Sequence, residues 1–183
     1  SSDQVPYRDI RQMAADYAAT LRAVQPKGPY FLGGWCFGGT IAFEMAHQLQ
    51  QQGQEIALLA LIDTYAPIIS EANEEAEEAA FDDAMLYSLF VKGLSGHFGK
   101  ELTLAVEELQ GLERPAIVEK VLKLLQAAGV MPPDAGAAQL QRYLDVYMSN
   151  SEALAEYKPA LYASPVTMFR AKAELLHQYV DET

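Results

Sequence analysis

Residues 28–46 read GPYFLGGWCFGGTIAFEMA, and this stretch decides the fold. Tyr30-Phe31-Leu32 is a short apolar strand bounded by Gly33-Gly34. A helical pattern follows Cys36 through Ile41, Phe43, Met45, Ala46 and Leu49, and stops near Gly53. Between strand and helix lies Gly34-Trp35-Cys36-Phe37-Gly38, a G-x-S-x-G pattern with sulfur in place of the hydroxyl. Such a turn holds a nucleophile in a strained strand-to-helix corner, and glycines let strand and helix pass closely. Cys36 falls at the helix N-terminus, where the helix dipole stabilises negative charge. The next backbone N–H, that of Phe37, is placed to donate to an oxyanion. The alternative is a small residue packed into a glycine turn, since free cysteine often serves only as core.

A glycine-rich turn between strand and helix can also bind phosphate, but this one lacks the residues for it. A Walker A loop needs Gly-Lys followed by Ser or Thr, and no lysine lies near the turn. The spacing Gly34-x-x-x-Gly38 is not the G-x-G-x-x-G of dinucleotide folds.

Upstream of this segment, Pro6 and Asp9 open a helix carrying Ile10, Met13, Ala14, Tyr17, Ala18 and Leu21, ended by Pro26 to Pro29. Downstream, Ile56 to Ile62 reads IALLALI, the unbroken apolar run expected of a parallel strand buried on both faces. Asp63 follows at once, in Leu61-Ile62-Asp63-Thr64-Tyr65-Ala66-Pro67. A carboxylate at the C-terminal end of a parallel strand lies on the sheet edge where open α/β sheets place their sites. There it can orient a histidine and stabilise its imidazolium, or simply cap a helix or turn. Helix, strand, helix, strand in this order predicts an α/β sheet.

The middle of the chain changes character. Phe81 to Phe98, Pro115 to Ala128 and Ala137 to Tyr157 are helical in pattern, separated by Gly99, Gly111 and Val130-Met131-Pro132-Pro133. After this insertion, Pro165 leads into a last short strand, Val166 to Phe169. Only three strands are visible, few for an open α/β sheet.

Half of the 183 residues are hydrophobic and 21% are charged, which excludes a disordered or fibrous chain. The net charge of −12 makes nucleic acid or an anionic membrane a poor partner, because both require clustered positive charge. Much of that charge is local: no Lys or Arg occurs from Gly28 to Val91, and Ser70 to Ala80 reads SEANEEAEEAA, a solvated loop or frayed helix end. No apolar run reaches the roughly 18 residues of a membrane span. The single cysteine allows neither an internal disulfide nor a cysteine-based zinc site, and it suits a reducing, cytoplasmic setting. No His, Cys, Asp and Glu cluster has metal-ligand spacing, so no metal or directly bound cofactor is expected.

Taken together, GPYFLGGWCFGGTIAFEMA, LALIDTYAP, a helical insertion and PVTMFRAK resemble the thioesterase domains that end nonribosomal peptide and polyketide synthetases. The resemblance implies an α/β-hydrolase fold, mostly parallel in its sheet, with a helical lid. It divides the chain into a core over 1–69, a lid over 70–157, and a core strand with its following segment over 158–183. In that family the central residue of G-W-S-F-G-G is the nucleophile and the aspartate of L-x-D-T/S-x-x-P is the second triad member. These positions map onto Cys36 and Asp63, with Phe37 in the oxyanion hole. The family usually has serine where this chain has Cys36.

The substrate implied is an acyl or peptidyl chain held as a phosphopantetheine thioester on a carrier protein in the same polypeptide. Release is by hydrolysis or cyclisation. Two other readings are a catalytically silent carrier-docking domain and an α/β-hydrolase esterase acting on small molecules.

The family's histidine lies in a G-x-H segment that this chain lacks. His47 precedes Asp63, against the chain order nucleophile, acid, histidine. His97 falls in the lid, and His177 has the right order without the G-x-H context. The expectation is therefore a partial domain, inactive alone, with its histidine beyond Thr183 and its upstream oxyanion strand also outside the chain.

Overall fold

The computed structural model describes residues 6–64 and 83–171. They form α1 (Ile10–Val24), β1 (Tyr30–Trp35), α2 (Phe37–Gln51), β2 (Ile56–Ile62), α3 (Asp83–Phe98), α4 (Arg114–Ala127), α5 (Ala137–Glu156) and β3 (Thr167–Phe169). A short 3-10 turn at Val106–Glu108 lies between α3 and α4. The acidic run Ser70 to Ala80 and His177 lie outside the described residues.

Two compact units emerge, one from 1–69 with 149–183 and one from 70–148. In the first unit the sheet has the order β1-β2-β3 with both pairs parallel. Trp35 stands opposite Ile62, and Ile62 opposite Phe169, so all three strands finish on one edge. β1 runs three residues beyond the apolar triplet, because Gly33 and Gly34 continue to pair with Ala60 and Leu61.

α1 begins where Asp9 accepts hydrogen bonds from the N–H groups of Arg11 (2.6 Å) and Gln12 (3.2 Å), an N-cap that satisfies orphan donors of the first turn. Its residue Ala18 and the α2 residues Ala42, Ala46 and Leu49 pack on Tyr30, Leu32, Leu59 and Leu61 of the sheet. A second cluster joins Ile10, Met13, Ala14 and Ile41 to Ala153 and Tyr157 at the end of α5.

The expectation that β2 is buried on both faces does not hold among the described residues. Leu59 and Leu61 are buried, while Leu58 and Ile62 on the other face are exposed, as are Phe31 (72%) and Trp35 (60%) beside them. α1 and α2 both pack on the face that carries Leu59 and Leu61. β2 is thus apolar on both sides, yet the described helices of this unit cover only one.

The second unit is helical. Tyr87 and Val91 of α3, Val121 and Leu125 of α4, and Leu140 and Leu144 of α5 form its core with Leu102 and Leu109. Arg114 and Asp145 tie α4 to α5 by an ion pair at 2.5 Å.

Candidate active site

β1 delivers the chain to Cys36 and α2 carries it away. Cys36 is the N-cap of α2 at φ 51 and ψ −123, a left-handed φ that a side chain rarely adopts. Backbone bonds hold it there. Its N–H donates to the Ile62 carbonyl at 2.9 Å, and its own carbonyl accepts from the Gly39 N–H at 3.0 Å. The thiol side of the corner is exposed. Phe37 is the first residue of α2, where a backbone N–H has no acceptor within the helix.

The glycines of the motif have unequal roles. A Cβ on Gly34 would lie 2.1 Å from the Gly38 carbonyl oxygen, so this approach of strand to helix requires glycine. A Cβ on Gly38 would meet nothing within 4 Å. One on Gly39 would collide with Thr64, at 1.8 Å from its Oγ1.

Asp63 stands one residue beyond β2, half-buried, also with a left-handed φ of 44. Its N–H donates to the Phe169 carbonyl at 2.9 Å, and its Oδ1 accepts from the Ala171 N–H at 2.6 Å. The side chain therefore ties down the segment after β3 through one oxygen. Because Trp35 pairs with Ile62, Cys36 and Asp63 emerge side by side from neighbouring strands. The sequence reading missed the bond to Ala171 and the burial of Thr64 against Gly39. The signals available were the Asp-Thr pair and the doubled glycine, neither of which reveals a partner distant in sequence.

His47 falls away from this corner. His47 lies on α2, eleven residues past Cys36, about 16 Å along the helix. Its ring contacts Gln51 through Nε2 at 3.1 Å, and its Nδ1 is buried without a partner among the described residues. His97 is exposed near the end of α3, in the other unit. Among the described residues no group of three or more His, Cys, Asp or Glu could hold a metal ion. No described helix is long and apolar enough to cross a membrane.

A strained cysteine between a parallel strand and a helix, beside a carboxylate at the next strand's end, suits acyl transfer. The family model of the thioesterase domain matches residues 1–182. The chain belongs to that family. Its fold is the α/β-hydrolase fold, seen here as an open parallel sheet with helices, and the family is one of hydrolases.

This thioesterase domain is 32% identical over 168 residues to a dimodular nonribosomal peptide synthase of Bacillus subtilis, covering 90% of the chain and 6% of the synthase. It is 33% identical over 137 residues to the polyketide synthase PksR of the same organism, covering 73% of the chain and 5% of that protein. Among solved structures, a four-domain nonribosomal peptide synthetase bound to AMP and glycine matches at 40% identity and a TM-score of 0.83. That match covers 94% of this chain and 13% of the synthetase. The NocB thioesterase domain, 22% identical with a TM-score of 0.51, shares the fold; the match covers 91% of this chain and 53% of that one. The chain thus spans a small part of the synthases it resembles and about half of the NocB domain.

Proposed function

We propose that this domain releases an acyl or peptidyl chain from the phosphopantetheine thioester of a carrier protein in the same polypeptide, through a covalent intermediate on Cys36. The observation that carries this reading is the conformation of Cys36: a left-handed residue at the mouth of α2, exposed, with Asp63 at the neighbouring strand end. Strain of this kind costs of order 1–3 kcal/mol and persists where the surrounding structure fixes it.

In the first half-reaction the Cys36 sulfur attacks the thioester carbonyl, and the tetrahedral oxyanion accepts a hydrogen bond from the Phe37 N–H. The intermediate collapses with loss of the phosphopantetheine thiolate, which takes up the proton given by Cys36. Water, or an amine or hydroxyl within the substrate, then attacks the acyl-Cys36 thioester and frees the thiol. Asp63 orients the histidine that moves these protons. Its Oδ1 is held by Ala171, which leaves Oδ2 for that role. This role falls to a histidine outside the described residues; His47, about 16 Å along α2 from Cys36, is too distant for it. An acyl-Cys36 thioester is more activated toward amines than an ester, which favours cyclisation or capture by a nucleophile other than water. A cytoplasmic setting suits the single free thiol.

The test is intact-mass spectrometry of the intact domain incubated with a small acyl thioester. One acyl adduct is expected, absent in Cys36→Ala. Adduct formation at an unchanged rate in that variant removes Cys36 from the mechanism.

A further inference from the structure

Thr64 is among the few polar residues buried in this structure, 4% exposed, and no step above uses it. Its hydroxyl donates to the Ile62 carbonyl at 3.2 Å. That same carbonyl accepts the N–H of Cys36 at 2.9 Å. One oxygen therefore receives a bond from the nucleophile's backbone and another from the residue after the acid. The rest of the Thr64 side chain fills the hollow over the first turn of α2. A Cβ built on Gly39 would be 1.8 Å from Thr64 Oγ1, 2.8 Å from its Cβ and 2.9 Å from its Cγ2. Gly39 is the third residue of α2, and its N–H is the one bonded to the Cys36 carbonyl. The turn holding Asp63 is thus seated directly on the turn holding Cys36.

We propose that Thr64 is a positioning residue: seated against Gly39 and bonded to the Ile62 carbonyl, it fixes the Asp63 turn relative to Cys36. Physical need supports this. Asp63 and Cys36 both have left-handed φ, and neither conformation is supplied by intrinsic preference. Cys36 is clamped from both sides by backbone bonds, whereas Asp63 has one backbone bond and its bond to Ala171. A side chain whose hydroxyl is bonded to the Ile62 carbonyl and lies over Gly39 removes the remaining freedom. Glycine at position 39 is the complementary half of that fit. The catalytic consequence rests on the function proposed above; the geometric one does not.

The experiment uses two amides as reporters: Cys36 N–H, bonded to Ile62, and Ala171 N–H, bonded to Asp63. Hydrogen exchange is followed by NMR in the intact thioesterase domain and in its Thr64→Ser, Thr64→Val, Gly39→Ala and reciprocal Gly39→Ala with Thr64→Gly variants. Thr64→Val and Gly39→Ala are expected to lose protection at both amides by about fivefold to tenfold, the worth of one hydrogen bond. Thr64→Ser keeps the hydroxyl and should stay within about twofold of the parent. The reciprocal pair relieves the clash but lacks the hydroxyl, so it should lose about as much protection as Thr64→Val and no more, while the Leu59 amide within β2 changes in none of them.

Acylation of Cys36 by the thioester probe should slow in the same order. If Gly39→Ala does not fold, the Val and Ser variants decide. Unchanged protection of both amides in folded Thr64→Val overturns the proposal, as does an acylation rate that ignores lost protection. A parent intact domain that is never acylated refutes the proposed function instead, and the amides still decide the placement.

Discussion

The N–H of Cys36 donates to the carbonyl oxygen of Ile62, the residue directly before Asp63, at 2.9 Å. This bond is the last rung of the β1–β2 ladder, and it sets the two candidate site positions one residue past the end of the sheet. Their spacing is therefore governed by strand register, which a one-residue slip would destroy.

Cys36→Ser should retain an acyl-enzyme, because the corner and the Phe37 N–H are unchanged. The ester it forms is less activated toward amines, so hydrolysis should gain on cyclisation. Product ratios from a substrate carrying an internal amine measure this, and equal ratios in the two proteins contradict it.

Asp63 carries two roles that a pair of substitutions separates. Asp63→Asn keeps an oxygen for the Ala171 N–H and should fold normally, yet lose acylation by about tenfold or more if the carboxylate orients the base. Asp63→Ala should also lower the melting temperature, by loss of a hydrogen bond worth about 1 kcal/mol. Asn with full activity would leave Asp63 with the structural role alone.

The motif glycines should behave differently on substitution. Gly34→Ala places a Cβ 2.1 Å from the Gly38 carbonyl and is expected to destabilise by about 3 kcal/mol or to prevent folding. Gly38→Ala meets nothing within 4 Å and should be neutral or stabilising by up to about 1 kcal/mol, since alanine is the better helix former. Urea midpoints of the two variants compare them directly.

Glu44 is a buried carboxylate, 3% exposed, that accepts from Tyr157 Oη at 2.6 Å and from Gln48 Nε2 at 2.8 Å. Burial, then the bond to Glu44 and its negative charge, raise the Tyr157 phenol above its ordinary value. Its folded form keeps the proton after the unfolded form has lost it, near pH 10. Stability should thus be independent of this group below about pH 10 and fall above it. Tyr157→Phe should cost about 2 kcal/mol at neutral pH and make the alkaline fall shallower. Burial also raises Tyr87 and Tyr162, so some fall should persist. Urea midpoints at about pH 8 and about pH 11 test the sign.

Sequence alone determined the parts of this protein that rest on local order. Apolar periodicity, Asp9 as a cap and the breakers around Pro26 and Gly53 set the helices and strands. The motif around Cys36 is legible because strand, turn and helix are consecutive. The apolar run Ile56 to Ile62 identified a strand correctly but not its burial, because composition does not say on which face the helices fall. Tertiary structure decided what depends on segments far apart in the chain: the bond from Asp63 to Ala171 across 108 positions, Tyr157 on Glu44 across 113, and the fit of Thr64 to Gly39. A sequence pattern states which residues are able to pair. The parallel crossover, which returns β2 beside β1 and β3 beside β2, selects which of them meet.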